Sequence, residues 1–124
     1  MTKMVLSQMK NRKNNKSAII NVSLVSAIVP CPYNSVYSAT KAFDNFFSQA
    51  LEQELDSSKI DVLSLLAGSV DTKLNSFRPK SELITPVECA TGCLKALGKT
   101  SYSSGHYKHS LIGYFISLVP EFLI

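Results

Sequence analysis

Tyr37 and Lys41 stand four residues apart in Tyr37-Ser38-Ala39-Thr40-Lys41, a spacing that becomes chemistry if the segment is helical. On a helix, positions i and i+4 share a face, so the phenol and the ammonium project side by side. A cation beside a phenol stabilises the phenolate, and a tyrosine so placed can give and take a proton near neutrality. Such pairs also occur by chance on exposed helices, so the elements around the pair decide its meaning.

The other reactive groups offer less. Cys89 and Cys93, four apart, read as small buried hydrophobes on one helical face. With Cys31 they make three cysteines without zinc or C-x-x-C spacing, which suits a reducing compartment. His106 and His109 have no third ligand at metal spacing and read as surface imidazoles in a short strand or turn. Glu52, Glu54 and Asp56, beside Lys59, read as a solvated helix face. No metal, nucleophile or paired-carboxylate site is expected.

The elements that must position the pair follow from periodicity. Ala18-Ile19-Ile20-Asn21-Val22-Ser23-Leu24-Val25 is an apolar, β-branched run, the pattern of a strand buried on both faces of a parallel sheet, and predicts a central strand. Pro30-Cys31-Pro32 enforces an irregular loop. Val36, Ala39, Phe43, Phe46, Phe47, Ala50, Leu51 and Leu55 then recur at steps that predict a helix over 34–55.

A second strand is expected over 61–66, with Ala67-Gly68-Ser69 as the following loop. Thr85-Pro86-Val87-Glu88 combines an N-cap, a proline at the first helical position and a capping-box glutamate, and Gly98 stops that helix. Residues 104–109 read as a last short strand. Residues 1–13 read as a helix already in progress at residue 1, since no capping residue precedes its apolar stripe. Strands and helices in alternation predict an α/β fold with a parallel sheet and right-handed crossovers. Ligands in such sheets bind beyond the carboxyl ends of the strands, where Tyr37 and Lys41 would sit.

Composition narrows the partners. Of 124 residues, 45% are apolar and 18% charged, an ordinary globular balance. The net charge is +4, with Lys3, Lys10, Arg12, Lys13 and Lys16 clustered near the amino terminus. That cluster reads as a helix end and turn, and no aromatic residue interleaves as a base-stacking platform, so no nucleic-acid partner is expected. Met4-Val5-Leu6 is too short for a signal peptide, and nothing else reads as a targeting signal. The apolar run 111–124 contains Pro120 and Glu121 and is shorter than the roughly 20 residues of a spanning helix, so peripheral membrane or partner contact is its expected use.

Three ordered segments carry a resemblance: Ile19-Ile20-Asn21-Val22-Ser23, Pro32 through Tyr37-Ser38-Ala39-Thr40-Lys41, and Leu66-Ala67-Gly68-Ser69-Val70-Asp71-Thr72. Together they closely resemble the strand motif, active-site helix and later cofactor loop of the short-chain dehydrogenase/reductase family. Met1 through Leu6, Phe46-Phe47-Ser48-Gln49 and Leu111-Ile112-Gly113 make the wording most similar to the branch of the 17-beta-hydroxysteroid dehydrogenase type 12 and very-long-chain 3-oxoacyl-CoA reductases.

The resemblance implies the carboxyl-terminal half of a Rossmann-like doubly wound parallel sheet with flanking helices. It implies hydride transfer between NADP(H), with NAD left open, and a long-chain 3-oxoacyl-CoA or steroid carbonyl, in fatty-acid elongation or lipid metabolism. Tyr37 would be the general acid. Lys41 would support it and hold the nicotinamide ribose, and Val70 and Thr72 would lie against the carboxamide. A homodimer through the helices at 1–13 and 34–55 and residence at the endoplasmic reticulum membrane are implied as well.

The sequence departs from the family pattern in four places. The family's catalytic serine lies thirteen residues before the tyrosine, where this chain has Leu24; losing one preorganised donor typically costs about 10²–10³ in rate. Ser23 would face away, because side chains alternate along a strand, whereas Ser26 has the parity to substitute if the strand stays extended. Ala67 replaces the usual proline. No glycine-rich phosphate turn and no asparagine-bearing helix find a match in the 124 residues. These residues therefore read as the second half of a domain about twice as long, a truncated and weak or inactive enzyme, or else a catalytically dead fragment serving as a dimerisation or interaction module.

Overall fold

The computed structural model describes residues 2–12, 16–55 and 59–118. The apolar runs at 17–24 and 60–67 pair in parallel as β1 (Ser17–Leu24) and β2 (Ile60–Ala67), in register from Ser17 opposite Ile60 to Leu24 opposite Ala67. Between them the periodic segment forms α2 (Ser35–Glu54), a crossover of the kind parallel pairing requires. A short β3 (Tyr102–Ser103) pairs parallel to β2, giving the order β1-β2-β3. The chain is thus an α/β unit, a three-stranded parallel sheet with helices on its faces.

Strand parity sorts the core into two layers. Ile60 and Val62 face one side and pack with Leu51 of α2 and with Leu55 just past its end, joined by Ile19 and by Leu6 and Met9 of α1 (Thr2–Lys10). Leu63 and Leu65 face the other side and pack with Ile84 and with Cys89 and Cys93 of α3 (Pro86–Ala96). Full burial of each β2 side chain among these, Ile60, Val62, Leu63 and Leu65, contributes about 1.5–3 kcal/mol, which makes β2, closed on both faces, the best-anchored strand.

The start of α3 follows its sequence signature. Thr85 accepts from the amide of Glu88, and the Glu88 carboxylate accepts from the Thr85 amide at 2.8 Å. Gly98, at φ +72°, takes the left-handed conformation just past the helix end.

Four expectations are corrected. β2, and not β1, is the central strand: β1 stands at the sheet edge, its even-numbered residues face outward, and Val22 is 56% exposed. An apolar run does not reveal how many of its faces find cover. The first helix, described from Thr2, ends at Lys10 with a turn at Asn11, short of the expected end at 13; positions 1 and 13–15 lie outside the described residues. No strand forms over 104–109, because Gly105 turns at φ +72° and α4 (Tyr107–Leu118) begins two residues later.

The fourth correction is His109, which is buried at 1% exposure and is not a surface imidazole. α4 packs over the 3-10 turn Val25–Ile28, with Gly113 against Val25 and Ile28. Asp56 and the tail 119–124 lie outside the described residues.

Candidate active site

Tyr37 and Lys41 occupy the first turns of α2, directly after the loop that leaves the carboxyl end of β1. The Lys41 Nζ lies 6.0 Å from the centroid of the Tyr37 ring, so helical spacing does bring cation and phenol to one face. Nζ donates to the Val22 carbonyl of β1 at 2.8 Å and lies 3.5 Å from the Asp44 carboxylate. The ammonium is therefore held from two sides while Tyr37 stays 46% exposed, beside a shallow cleft bounded by Tyr33, Asn34 and Thr40.

The helix is fixed against the strand by polar contacts. Ser23 is buried and its hydroxyl donates to the Lys41 carbonyl at 2.6 Å; Asn21 donates to the Ser48 hydroxyl at 2.9 Å, and Ser48 donates back to the Asp44 carbonyl at 2.6 Å. Leu24, one residue on, has the opposite strand parity to Ser23 and brings no polar group. Ser26 sits inside the 3-10 turn Val25–Ile28, so the extended parity that would have made it a substitute does not apply there.

The segment after β2 reaches the same end of the sheet, since the two strands are parallel. Its backbone is pinned residue by residue. Ser69 accepts from the Ile84 amide at 3.3 Å and Asp71 donates to the Ile84 carbonyl at 2.8 Å, so Val70 bridges to Ile84 in parallel fashion. Asn75 donates to the Val70 carbonyl at 2.9 Å, and His109 accepts from the Gly68 amide at 3.0 Å. Val70 is half-buried and Thr72 exposed. Among the described residues no hydrogen bond joins this loop to Tyr37 or Lys41; the two groups share a sheet end through different strands.

The remaining titratable groups are placed as structure. Burial pushes the Cys89 and Cys93 thiols up, the first thiol adding to the shift of the second, which keeps both protonated and unreactive. Hydrogen bonds from the Thr85 backbone and side chain hold the Glu88 carboxyl below the ordinary carboxylate value. Sequence reasoning missed His109 and Asn75 as anchors of the loop. Neither carries a local signal, because both act on backbone atoms that only the tertiary fold brings near.

Comparison with known proteins agrees with this fold. The family described as short chain dehydrogenase matches residues 1–82. The chain is 40% identical over 99% of its length to a very-long-chain 3-oxoacyl-CoA reductase from Macaca fascicularis and 38% identical to the one from Homo sapiens, covering 39% of each. It thus spans about two-fifths of the length of these relatives. Among solved structures, a short chain dehydrogenase from Burkholderia cenocepacia in complex with NADP superposes with a TM-score of 0.78 at 26% identity, over 95% of this chain and 50% of that one. A 7beta-hydroxysteroid dehydrogenase matches with a TM-score of 0.75 at 26% identity, over 98% and 47%.

Proposed function

Because this chain belongs to the short-chain dehydrogenase family, we propose that it supplies the proton-transfer side of an oxidoreductase site, reducing the carbonyl of a long-chain 3-oxoacyl-CoA or a steroid with NADP(H). The observation that carries this reading is the Lys41 ammonium 6.0 Å from the Tyr37 ring at the carboxyl end of β1. The reductase names of the relatives favour the acyl-CoA substrate over the steroid. The NADP complex of the similar dehydrogenase favours NADP, and an NADH complex of a similar reductase leaves NAD in view.

The donor set suits a nicotinamide nucleotide. Two of the three Lys41 N–H groups have partners in Val22 and Asp44, which leaves one for a ribose hydroxyl. Val70 and Thr72 belong to a loop whose backbone is already pinned, so their free groups can meet a carboxamide with little ordering cost. The bound cofactor supplies hydride to the carbonyl carbon. Tyr37 gives its phenolic proton to the carbonyl oxygen, and Lys41 stabilises the resulting phenolate. Leu24 offers no second donor to that oxygen, so turnover is slower by about 10²–10³ than with a hydroxyl there.

Placement at the endoplasmic reticulum membrane belongs to the same reading. No helix among the described residues is long and apolar enough to cross a membrane. α4 nonetheless exposes Leu111, Phe115 and Leu118, which suits peripheral contact. A homodimer would use α1 and α2, where Met4 and the stacked Phe43 and Phe47 rings are exposed.

Leu24 also favours a second reading, a catalytically dead interaction module that keeps the same helix faces. Oxidation of NADPH by purified protein with a long-chain 3-oxoacyl-CoA supports the enzyme. No oxidation and no quenching of NADPH fluorescence, together with capture of an intact family member, supports the module.

A further inference from the structure

His109 lies outside the proton-transfer site, yet it is the most deeply buried ionisable side chain among the described residues, at 1% exposure. It comes from α4 and meets the loop after β2 at two consecutive residues. Its Nδ1 is 3.0 Å from the Gly68 amide, and its Nε2 is 3.3 Å from the Ser69 carbonyl. Nδ1 is also 3.2 Å from the Ser104 carbonyl.

These distances select a tautomer. The Gly68 amide can only donate, so Nδ1 must carry the lone pair, and the proton then sits on Nε2, where the Ser69 carbonyl accepts it. The other tautomer would serve Ser104 alone and leave both loop contacts unmade. Burial of the ring makes that choice costly to reverse, since the buried imidazole would lose both of its loop partners.

Gly68 is the complementary half of the contact. A Cβ added there would fall 2.4 Å from the His109 Cδ2, so the ring fills the space that a side chain would need. The glycine is thus demanded by an imidazole 41 residues away.

We propose that His109 is a positioning residue for nicotinamide-nucleotide binding: as the neutral Nε2–H tautomer it clamps Gly68 and Ser69, and so fixes the placement of Val70 and Thr72. This rests on the role proposed above for those two residues. The clamp works from the sheet end toward the loop, while Ile84 and Asn75 hold the residues that follow. The nucleotide site is thereby tied to α4, an element that carries none of the site residues.

The test uses the whole chain, labelled with ¹⁵N, as wild type, His109→Leu and His109→Asn; an asparagine can place its amide oxygen near the Nδ1 position. In wild type the ring nitrogens should report a proton on Nε2. Hydrogen exchange of the Gly68 amide should be at least tenfold faster in His109→Leu and return toward wild type in His109→Asn, with Leu63 and Leu65 unchanged in all three. NADPH dissociation constants should follow the same order, tenfold weaker in His109→Leu and partly restored in His109→Asn.

A proton on Nδ1 in wild type overturns the proposal without any variant, which matters if His109→Leu does not fold. Equal Gly68 exchange in wild type and His109→Leu, or NADPH affinity unaffected by either substitution, overturns it as well. If no variant binds NADPH while the exchange pattern holds, the clamp stands and the nicotinamide role assigned above is what fails.

Discussion

The Ser23 hydroxyl donates to the Lys41 backbone carbonyl at 2.6 Å across the junction of β1 and α2. One residue separates this serine from Leu24, yet the two play opposite parts. Strand parity turns Ser23 into the helix, where it fixes the height at which Lys41 and Tyr37 emerge, and turns Leu24 away from it. A serine next to the expected catalytic position is therefore structural.

Ser23→Ala should lower stability by about 1 kcal/mol, the usual net worth of one such hydrogen bond. The midpoint of urea unfolding should fall while the slope stays constant, as for any change confined to the folded state. An unchanged midpoint would show that the contact contributes nothing.

The capping box at the start of α3 gives a pH dependence with a defined sign. Hydrogen bonds from Thr85 lower the folded-state value of Glu88 relative to the ordinary 4.5. A lowered carboxyl value means stability that is complete above the ordinary value and is lost as pH falls through the folded one. Wild type should thus melt above Glu88→Ala at pH 7, and the gap should shrink as the solution is acidified below 4.5. A gap that is constant with pH contradicts the ionised capping box.

Thiol chemistry should separate the cysteines. Cys31 is half-buried in the loop before α2, whereas Cys89 and Cys93 are buried under β2 with raised thiol values. A maleimide added to native protein should label Cys31 alone, with the other two reacting only on unfolding; mass mapping of labelled peptides decides. Early labelling of Cys93 would contradict the packing of α3.

Much of this arrangement is legible in the sequence. The helix expected over 34–55 is Ser35–Glu54, and the capping box and the Gly98 stop stand where their residues put them. These features are local, set by a few neighbouring residues. What escaped was tertiary. β1 reads as doubly buried because Ile20 and Val22 are apolar, yet cover on that face depends on what packs there. His109 sits in a short polar stretch that has no periodicity, and only the path of α4 over the end of the sheet buries it. Ser26 has the right parity only in an extended strand, and the chain has already entered a 3-10 turn there.

In the proposed reaction Tyr37 transfers the proton at a site where Leu24 withholds a second donor. The most direct measurement is the rate of NADPH oxidation with a long-chain 3-oxoacyl-CoA, compared among wild type, Leu24→Ser, Tyr37→Phe and the double variant. Wild type should be slow, Leu24→Ser should raise its rate by about 10²-fold or more, and both proteins lacking the Tyr37 hydroxyl should lose nearly all of it. Oxidation that persists in Tyr37→Phe, or a rate in Leu24→Ser no higher than wild type, contradicts the proposed reaction.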